Sequence, residues 1–379
     1  MAHDLQRDLG LYTIVMISMG AMIGSGIFVL PALGFKKAGP AVIFAYILAG
    51  LVVLPAALSK AEMATAMPES GGTYLYIDRA MGPLFGTVAG IGAWFSLVFK
   101  SSFALVGLGA YLLLFVNIPP GAITFVALGL AAVLVTLNIV GTEQSGQAQA
   151  IVVTVVVFAL VAYVVNGAFA LETARFQPLV THGSGGVVTA AAAFVFVSYA
   201  DVTKIASVAE EVENPGRNLP LAMSRDSLLP GRFKRISPRF KTPRNAILLT
   251  GGLLLALIAF VPVVELAKLA SAFQILVFSI LHVALVAFRE SDAEFYQPEF
   301  TAPGYPAVQV VGVVGGVMLL TQMGLLPVLG AIGMIVGGIG WYLIYGRPRT
   351  DRVGAISVLL RGRDDDLEES DIEPDRATR

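Results

Sequence analysis

The sequence predicts an all-α integral membrane protein of about ten transmembrane helices. Three observations predict this fold class: an apolar composition, ten apolar stretches long enough to cross a bilayer, and basic residues concentrated in alternate loops. Of the 379 residues, 56% are hydrophobic and 13% are charged, whereas a soluble domain carries about 25% charged residues. The 40 glycines suit membrane helices, in which small side chains allow backbones to approach closely.

Ten apolar stretches meet the length of a spanning helix, which needs about 20 mostly apolar residues to cross about 30 Å of hydrocarbon. They cover 11–35, 40–66, 84–116, 121–141, 147–167, 186–210, 246–263, 266–288, 307–324 and 326–346. Residues 1–349 therefore form one predicted transmembrane domain. Residues 350–379 contain an acidic run and are predicted to be a disordered cytoplasmic tail.

The distribution of Lys and Arg predicts the orientation in the membrane. The polar stretch between the sixth and seventh segments carries eight basic residues: Arg217, Arg225, Arg232, Lys234, Arg235, Arg239, Lys241 and Arg244. With ten crossings, this stretch lies on the same side as both termini. The loops of the other side carry four basic residues: Lys36, Lys37, Arg175 and Lys268. Because basic loops stay inside, we predict a multi-pass protein of the cell membrane with cytoplasmic N- and C-termini.

The first segment contains Gly24-Ser25-Gly26 at its centre. A glycine costs about 1 kcal/mol in a helix interior, and a broken helix at membrane depth is tolerated where its backbone is buried or lines a cavity. The freed amides would suit an anionic group, as in transporter sites at the bilayer midplane. Alternatively, the glycines serve only close helix packing. The residues alone leave both interpretations open.

Two charges lie inside apolar segments. Asp201 follows an apolar run in the sixth segment, and Lys100 lies midway along the third. A buried aspartate costs about 2.5–3.5 kcal/mol on insertion scales, so it should face protein or water. Either Lys204, one helical turn on, or Lys100 could pair with Asp201. A structural ion pair and a functional site are both consistent with these charges.

The chain lacks the residues that several classes of protein need for their function. The chain has no cysteine, its histidines are His3, His182 and His282, and it has neither a His-Glu-x-x-His pair nor a phosphate-binding P-loop. We therefore expect neither an enzyme nor an ATP-driven pump, and neither a metal site nor a cofactor. The net charge of −1 gives no reason to expect nucleic acid. The bilayer itself is the expected environment, and the sequence leaves the oligomeric state open.

Five motifs follow one another along most of the chain. They are Met-Ile-Gly-Ser-Gly-Ile-Phe at 22–28, Pro-Glu-Ser-Gly-Gly-Thr-Tyr-Leu-Tyr at 68–76, Leu-Asn-Ile with Gly at 137–141, Glu-Glu-Val-Glu-Asn-Pro with Arg-Asn and Pro at 210–220, and Pro, Phe and Ala-Pro-Gly-Tyr-Pro at 298–306. In these motifs and in their order, the chain resembles amino acid permeases of the amino acid–polyamine–organocation (APC) superfamily.

This resemblance implies an inverted-repeat (5+5 type) transporter fold, in which five helices occur twice, two more follow, and helices 1 and 6 are discontinuous. It also implies secondary active transport of amino acids by alternating access, by proton or sodium coupling or by exchange. By position, the substrate-binding residues would be Met22, Ile23, Gly24, Ser25, Gly26, Ile27, Val197, Ser198, Tyr199, Ala200 and Asp201. Some proton-coupled relatives carry a lysine on helix 5, which the segment 147–167 lacks, so Lys100 and Asp201 are the candidate coupling residues.

The chain departs from the family pattern at two places. Asp201 stands where the family usually has a glycine, which adds a charge at the expected ammonium end of the site. Moreover, Pro220-Leu221 runs directly into a stretch from Ala222 that resembles the loop after helix 8, so helices 7 and 8 are predicted to be missing at 221/222. Loss of an even number preserves the orientation downstream but would leave one face of the site open. The alternative function is therefore a shortened, transport-incompetent relative: a sensor, a subunit or a decayed gene product.

Overall fold

The described part of the chain is entirely helical. The computed structural model describes residues 16, 19–20, 23–67, 72–112, 115–116, 119–140, 146–179, 186–202, 223–224, 226, 228–233, 236–237, 240, 242–291, 296–350 and 354–356. Within these ranges all regular secondary structure is α, 3-10 or π helix, which confirms the predicted fold class.

Each of the ten predicted segments contains at least one helix. The α-helices are α1 (Ser25–Phe28), α2 (Leu30–Ala38), α3 (Val42–Ala66), α4 (Gly72–Met81), α5 (Pro83–Leu112), α6 (Ile123–Val140), α7 (Gly146–Phe169), α8 (Gly186–Val195), α9 (Arg244–Phe260), α10 (Val263–Glu290), α11 (Ala307–Thr321) and α12 (Leu325–Trp341).

Membrane-spanning length is reached by six helical segments of the described chain. They are Leu30–Ala66, Pro83–Leu112, Ile123–Val140, Ala150–Phe169, Val263–Glu290 and Leu325–Arg349. Three shorter apolar helices accompany them: Gly186–Tyr199, Arg244–Phe260 and Ala307–Thr321. The first of the six includes the turn at Gly39–Ala41, which joins α2 to α3. The chain is therefore a multi-pass membrane protein.

Helix α10 forms the centre of the bundle. Of its 28 residues, 17 are buried, and it packs most extensively against α5 and also against α3, α4, α11 and α12. Small residues at Ala267, Ala270, Ser271 and Ala272 on this helix are buried, and small side chains allow neighbouring backbones to approach. Helix α10 extends a few residues beyond each end of the predicted segment 266–288.

Helix α4 lies where the sequence predicted only a loop motif between the second and third segments. Eight of its ten residues are buried, among them Tyr74 and Tyr76, and it packs against α5 and α10. The prediction missed this helix because, at ten residues, α4 is too short to satisfy a criterion based on spanning length.

One end of the bundle, which we call the basic end, is formed by α4, the described residues of 223–237 and residues 354–356. The Tyr74 hydroxyl donates to the Asp226 carboxylate at 2.8 Å, and the Trp341 indole donates to the Leu228 carbonyl at 2.8 Å. Part of the polar stretch predicted as a cytoplasmic loop is therefore packed onto the helices.

The chain beyond α12 returns to the basic end. Gly354 and Ala355 are buried, and a β-carbon added to Gly354 would come within 2.3 Å of the Gly82 nitrogen. Only a glycine allows this approach. Gly82 itself has φ +88°, a conformation that favours glycine. The acidic run of the predicted tail, at 364–369, lies outside the described residues.

A buried carboxylate fastens α3 to α10 near the basic end. The Glu62 side chain is fully buried and accepts two hydrogen bonds from the Arg289 guanidinium, at 2.8 and 2.6 Å. The Tyr296 hydroxyl and the Ala302 amide donate to the same carboxylate at 3.0 and 2.7 Å. These four hydrogen bonds satisfy the buried charge of Glu62, as burial requires. Nearby, burial raises the pKa of Tyr305 to about 12, so this phenol stays protonated.

Helix α7 contrasts with α10. Among its described side chains, from residue 150 onwards, only Ala150 and Val153 are buried. Most of its apolar surface therefore faces outward, as expected of a helix in contact with lipid.

Other predicted boundaries also differ from the structure, most clearly those of the third and sixth segments. The third segment, predicted at 84–116, is helical over Pro83–Leu112. The sixth, predicted at 186–210, is α-helical only to Val195 and continues as a 3-10 turn over Phe196–Tyr199. Residues 203–222, which include Lys204 and the junction at 221/222, lie outside the described chain.

Candidate functional site

The first segment is interrupted where the glycines predict it. Met19 and Gly20 are helical, residues 23–24 form a bend, and α1 begins at Ser25. The Ile23 amide donates to the Met19 carbonyl at 2.8 Å. A β-carbon added to Gly24 would meet no atom of the described residues within 4 Å, so in this part of the structure open space lies beside the bend. The first discontinuous helix is thereby confirmed.

The sixth segment is interrupted at the end of α8. The 3-10 turn at Phe196–Tyr199 follows directly, and α10 supports it through one hydroxyl. The Val197 amide donates to Ser271 Oγ at 3.1 Å, and that hydroxyl lies 3.5 Å from the Phe194 carbonyl oxygen. A side chain of another helix therefore binds the backbone at this interruption, which suits irregular backbone at membrane depth.

The two interruptions meet at Gly26 and Ser198. The Ser198 hydroxyl donates to the Gly26 carbonyl at 3.2 Å, and a β-carbon added to Gly26 would come within 2.7 Å of Ser198 Cα. The Tyr46 hydroxyl of α3 also lies 3.3 Å from the Gly26 carbonyl oxygen. Gly26 thus has the packing role that was one of the two interpretations of these glycines, whereas Gly24 borders open space.

Two tyrosines form an aromatic wall beside this junction. The rings of Tyr46 and Tyr199 are 6.2 Å apart, edge to face, and the Tyr199 hydroxyl donates to the Tyr46 carbonyl at 3.0 Å. A β-carbon added to Gly50 would lie 3.5 Å from the Tyr199 ring. The aromatic wall carries no formal charge.

A buried ion pair lies at the C-terminal end of the second interruption. The Lys100 ammonium of α5 contacts the Asp201 carboxylate, and their side chains are 14% and 5% exposed, respectively. The predicted meeting of these two charges is therefore present.

A second set of charges lies at the opposite end of α10 from Arg289. The Lys268 ammonium is 2.6 Å from a Glu265 carboxylate oxygen. Lys37, at the end of α2, is within electrostatic reach of both, and its ammonium lies 5.8 Å from the centre of the Phe194 ring. Phe194 is part of α8, just before the second interruption.

The structure brings together most of the predicted binding residues. Gly24, Gly26 and Ser198 border the junction, Val197 and Ala200 are buried beside it, and Ile27 is 45% exposed. The predicted residue Met22 and the side chain of Ser25 lie outside what the structure describes.

Sequence reasoning missed Tyr46 and Ser271. The hydroxyl of Ser271, set among the alanines of an apolar helix, is a signal that could have identified it. Tyr46 carries no comparable signal, since tyrosine is common in membrane helices.

A family model of amino acid permeases matches residues 13–225, which is more than half of the chain. The match spans both interruptions and ends close to the predicted junction at 221/222.

Three relatives represent the similar proteins. A branched-chain amino acid permease of Bacillus subtilis is 25% identical, with 92% of this chain and 94% of the relative covered. A methylthioribose transporter of the same organism is 24% identical, with 82% and 87% covered. Cationic amino acid transporter 1 of Arabidopsis thaliana is 24% identical, with 58% and 40% covered.

The alignment with the branched-chain permease also bears on the length of the chain. It extends over 443 positions, whereas the chain has 379 residues, so at least 64 positions face gaps in this chain. That length is enough for two membrane helices of about 20 residues each with their loops.

Proposed function

Because the chain belongs to the amino acid permease family, we propose that it carries amino acids across the cell membrane by secondary active transport with alternating access. Its family and its relatives are transporters rather than enzymes. The observation that supports this function best is the contact between the two helix interruptions at Gly26 and Ser198. Irregular backbone from two segments converges there, as in transporter sites built at the midplane.

In this proposal the substrate lies beside the backbone of 22–27 and 197–201. The amides at the start of α1 would bind the carboxylate, because the positive end of a helix dipole favours an anion. The open space beside Gly24 leaves room for that group. The Gly26 carbonyl already accepts hydrogen bonds from Ser198 and Tyr46, so its role is to hold the junction.

The experiment is uptake of labelled amino acids into proteoliposomes, with binding measured in parallel on purified protein. We expect the variant Ser25→Leu to lose binding while remaining in the membrane, because a bulky residue there would obstruct the amides. The matched control is Leu326→Ala, which alters an exposed side chain of α12 far from the junction in sequence. Unchanged affinity in Ser25→Leu would contradict the proposed site.

Coupling is proposed to involve a proton or sodium gradient, or exchange. Lys100 and Asp201 are the candidate coupling residues, and their contact in the structure is equally suited to a permanent structural pair. The variant Lys100→Met separates the two roles. A coupling lysine predicts that counterflow exchange persists while proton-driven accumulation disappears. Loss of both activities together with protein yield would make Lys100 structural.

A shortened relative without transport is the second candidate function, as a sensor, a subunit or a decayed gene product. It is favoured by the 64 or more positions of the alignment with the branched-chain permease that face gaps in this chain. Binding of an amino acid without uptake or exchange in proteoliposomes would support a sensor. Absence of both would support a decayed product.

Multi-pass insertion in the cell membrane with both termini in the cytoplasm completes the proposal. Its support is that Arg79, Arg232, Arg289 and Arg349 lie on elements of the basic end or close to it, as the positive-inside rule expects of a cytoplasmic face.

A further inference from the structure

The charge of Asp201 bears on which class of substrate the site accepts. On its own, a carboxylate at the end of the second interruption would favour a substrate with an additional positive charge. It is 5% exposed, and in a medium of low dielectric a buried charge acts strongly on its neighbours. Which groups face this carboxylate therefore decides which substrates the site accepts.

The structure gives this carboxylate a cationic partner. Lys100 reaches it from α5, so the two side chains together carry no net charge. The described residues that directly precede Asp201 in the second interruption carry no charge: Tyr199 packs against Tyr46, and Phe196 packs against Phe278 with ring centres 6.2 Å apart.

The charges at the other end of α10 act in the same direction. Lys37 and Lys268 outnumber Glu265 in that group, and the Lys37 ammonium lies 5.8 Å from the centre of the Phe194 ring, just before the second interruption; in the proposed function this end is the approach to the junction. A positive approach repels a cationic solute and does not repel a zwitterion.

We propose that Lys100 is a specificity-determining residue that neutralises Asp201, so that the site accepts net-neutral, zwitterionic amino acids and rejects cationic ones. This inference rests on the proposed function, because it assumes that the junction is the substrate site.

The test measures binding of tritiated L-leucine and L-arginine to the purified full-length chain and its variants. We expect the wild type to bind leucine at least about tenfold more tightly than arginine, since like charges and unpaired charges are penalised in a buried site. Lys100→Met leaves the Asp201 carboxylate without this ammonium, and we expect the order to reverse in favour of arginine. The double variant Lys100→Met/Asp201→Asn removes both charges and should restore the preference for leucine.

A second variant keeps the test decisive if Lys100→Met fails to accumulate. Asp201→Asn leaves the ammonium in place and should gain affinity for tritiated L-glutamate, which the double variant should lose again. A merely structural pair would weaken binding of every amino acid in these variants without reversing the preference for charge.

Three results would overturn the inference: equal binding of arginine and leucine by the wild type, retention of the leucine preference in Lys100→Met, or an arginine preference that persists in the double variant. Wild-type protein that binds no amino acid would instead refute the proposed function, and this inference with it. Binding of leucine without uptake would support the inference while refuting transport.

Discussion

Gly26 and Ser198 lie in contact across the two helix interruptions, so closely that a β-carbon on Gly26 would be 2.7 Å from Ser198 Cα. Gly24, two residues earlier, borders open space instead. The two glycines of one motif therefore have different surroundings, and substitution can separate packing from binding.

We predict that Gly26→Ala lowers the thermal unfolding midpoint, because the added methyl must displace the Ser198 backbone. Overpacking of this kind costs about 1–3 kcal/mol. Gly24→Val should leave the midpoint nearly unchanged while abolishing amino acid binding, because its side chain would occupy the space assigned to the substrate. The measurements are fluorescence-detected thermal unfolding in detergent and binding of labelled leucine. Equal loss of stability in both variants would contradict this division of roles.

Glu62 is predicted to be essential for stability. Glu62→Gln removes the charge that pairs with Arg289, and breaking a buried ion pair on one side costs about 3–5 kcal/mol. We expect a clear fall in the unfolding midpoint and in the yield of monodisperse protein.

The matched control for this prediction is Glu265→Gln. It also removes a carboxylate with a basic partner on α10, but Glu265 and Lys268 are 23% and 19% exposed, and such pairs contribute under about 1 kcal/mol. A similar effect of both substitutions would show that burial of Glu62 does not determine its contribution.

Glycine is predicted to be required at position 312 because the His282 ring occupies the space that a side chain would need. The His282 ring accepts or donates a hydrogen bond with Ser59 Oγ at 3.2 Å, and a β-carbon on Gly312 would lie 2.3 Å from its Nε2 atom. Gly312→Ala should therefore displace the imidazole and lower the unfolding midpoint. Gly333→Ala on α12, where a β-carbon meets none of the described atoms within 4 Å, should be neutral or stabilising by up to about 1 kcal/mol. A neutral Gly312→Ala would mean that the ring moves away at no cost.

The topology can be tested with single cysteines, because the chain contains none of its own. Cysteines at Ser237 and Ser357 should react with an impermeant thiol reagent only in inside-out vesicles. A cysteine at Gln177, which is exposed between α7 and α8, should react only from the opposite side. Labelling of Ser237→Cys from outside intact cells would refute the proposed orientation.

The sequence predicted those features that follow from local composition. Apolar stretches located the spanning helices, and paired glycines around Ser25 located the first interruption. The sequence could not show that Ser271 of α10 would satisfy the Val197 amide, because a hydroxyl in an apolar helix is compatible with many partners. Likewise, it offered both Lys100 and Lys204 as partners of Asp201, and only the packing of α5 beside the second interruption brings Lys100 into contact.

The position of Gly354 has a consequence for how the protein is made. Ribosomes add about 5–20 residues per second, so Gly354 emerges roughly 15 to 55 seconds after Gly82, the residue on which it rests. During that interval the joint between α4 and α5 lacks the cover that Gly354 and Ala355 provide in the finished protein. Completion of the basic end therefore waits until residue 354 has been synthesised, and a ribosome that stops after α12 releases a chain that contains α1 to α12 but has this joint uncovered.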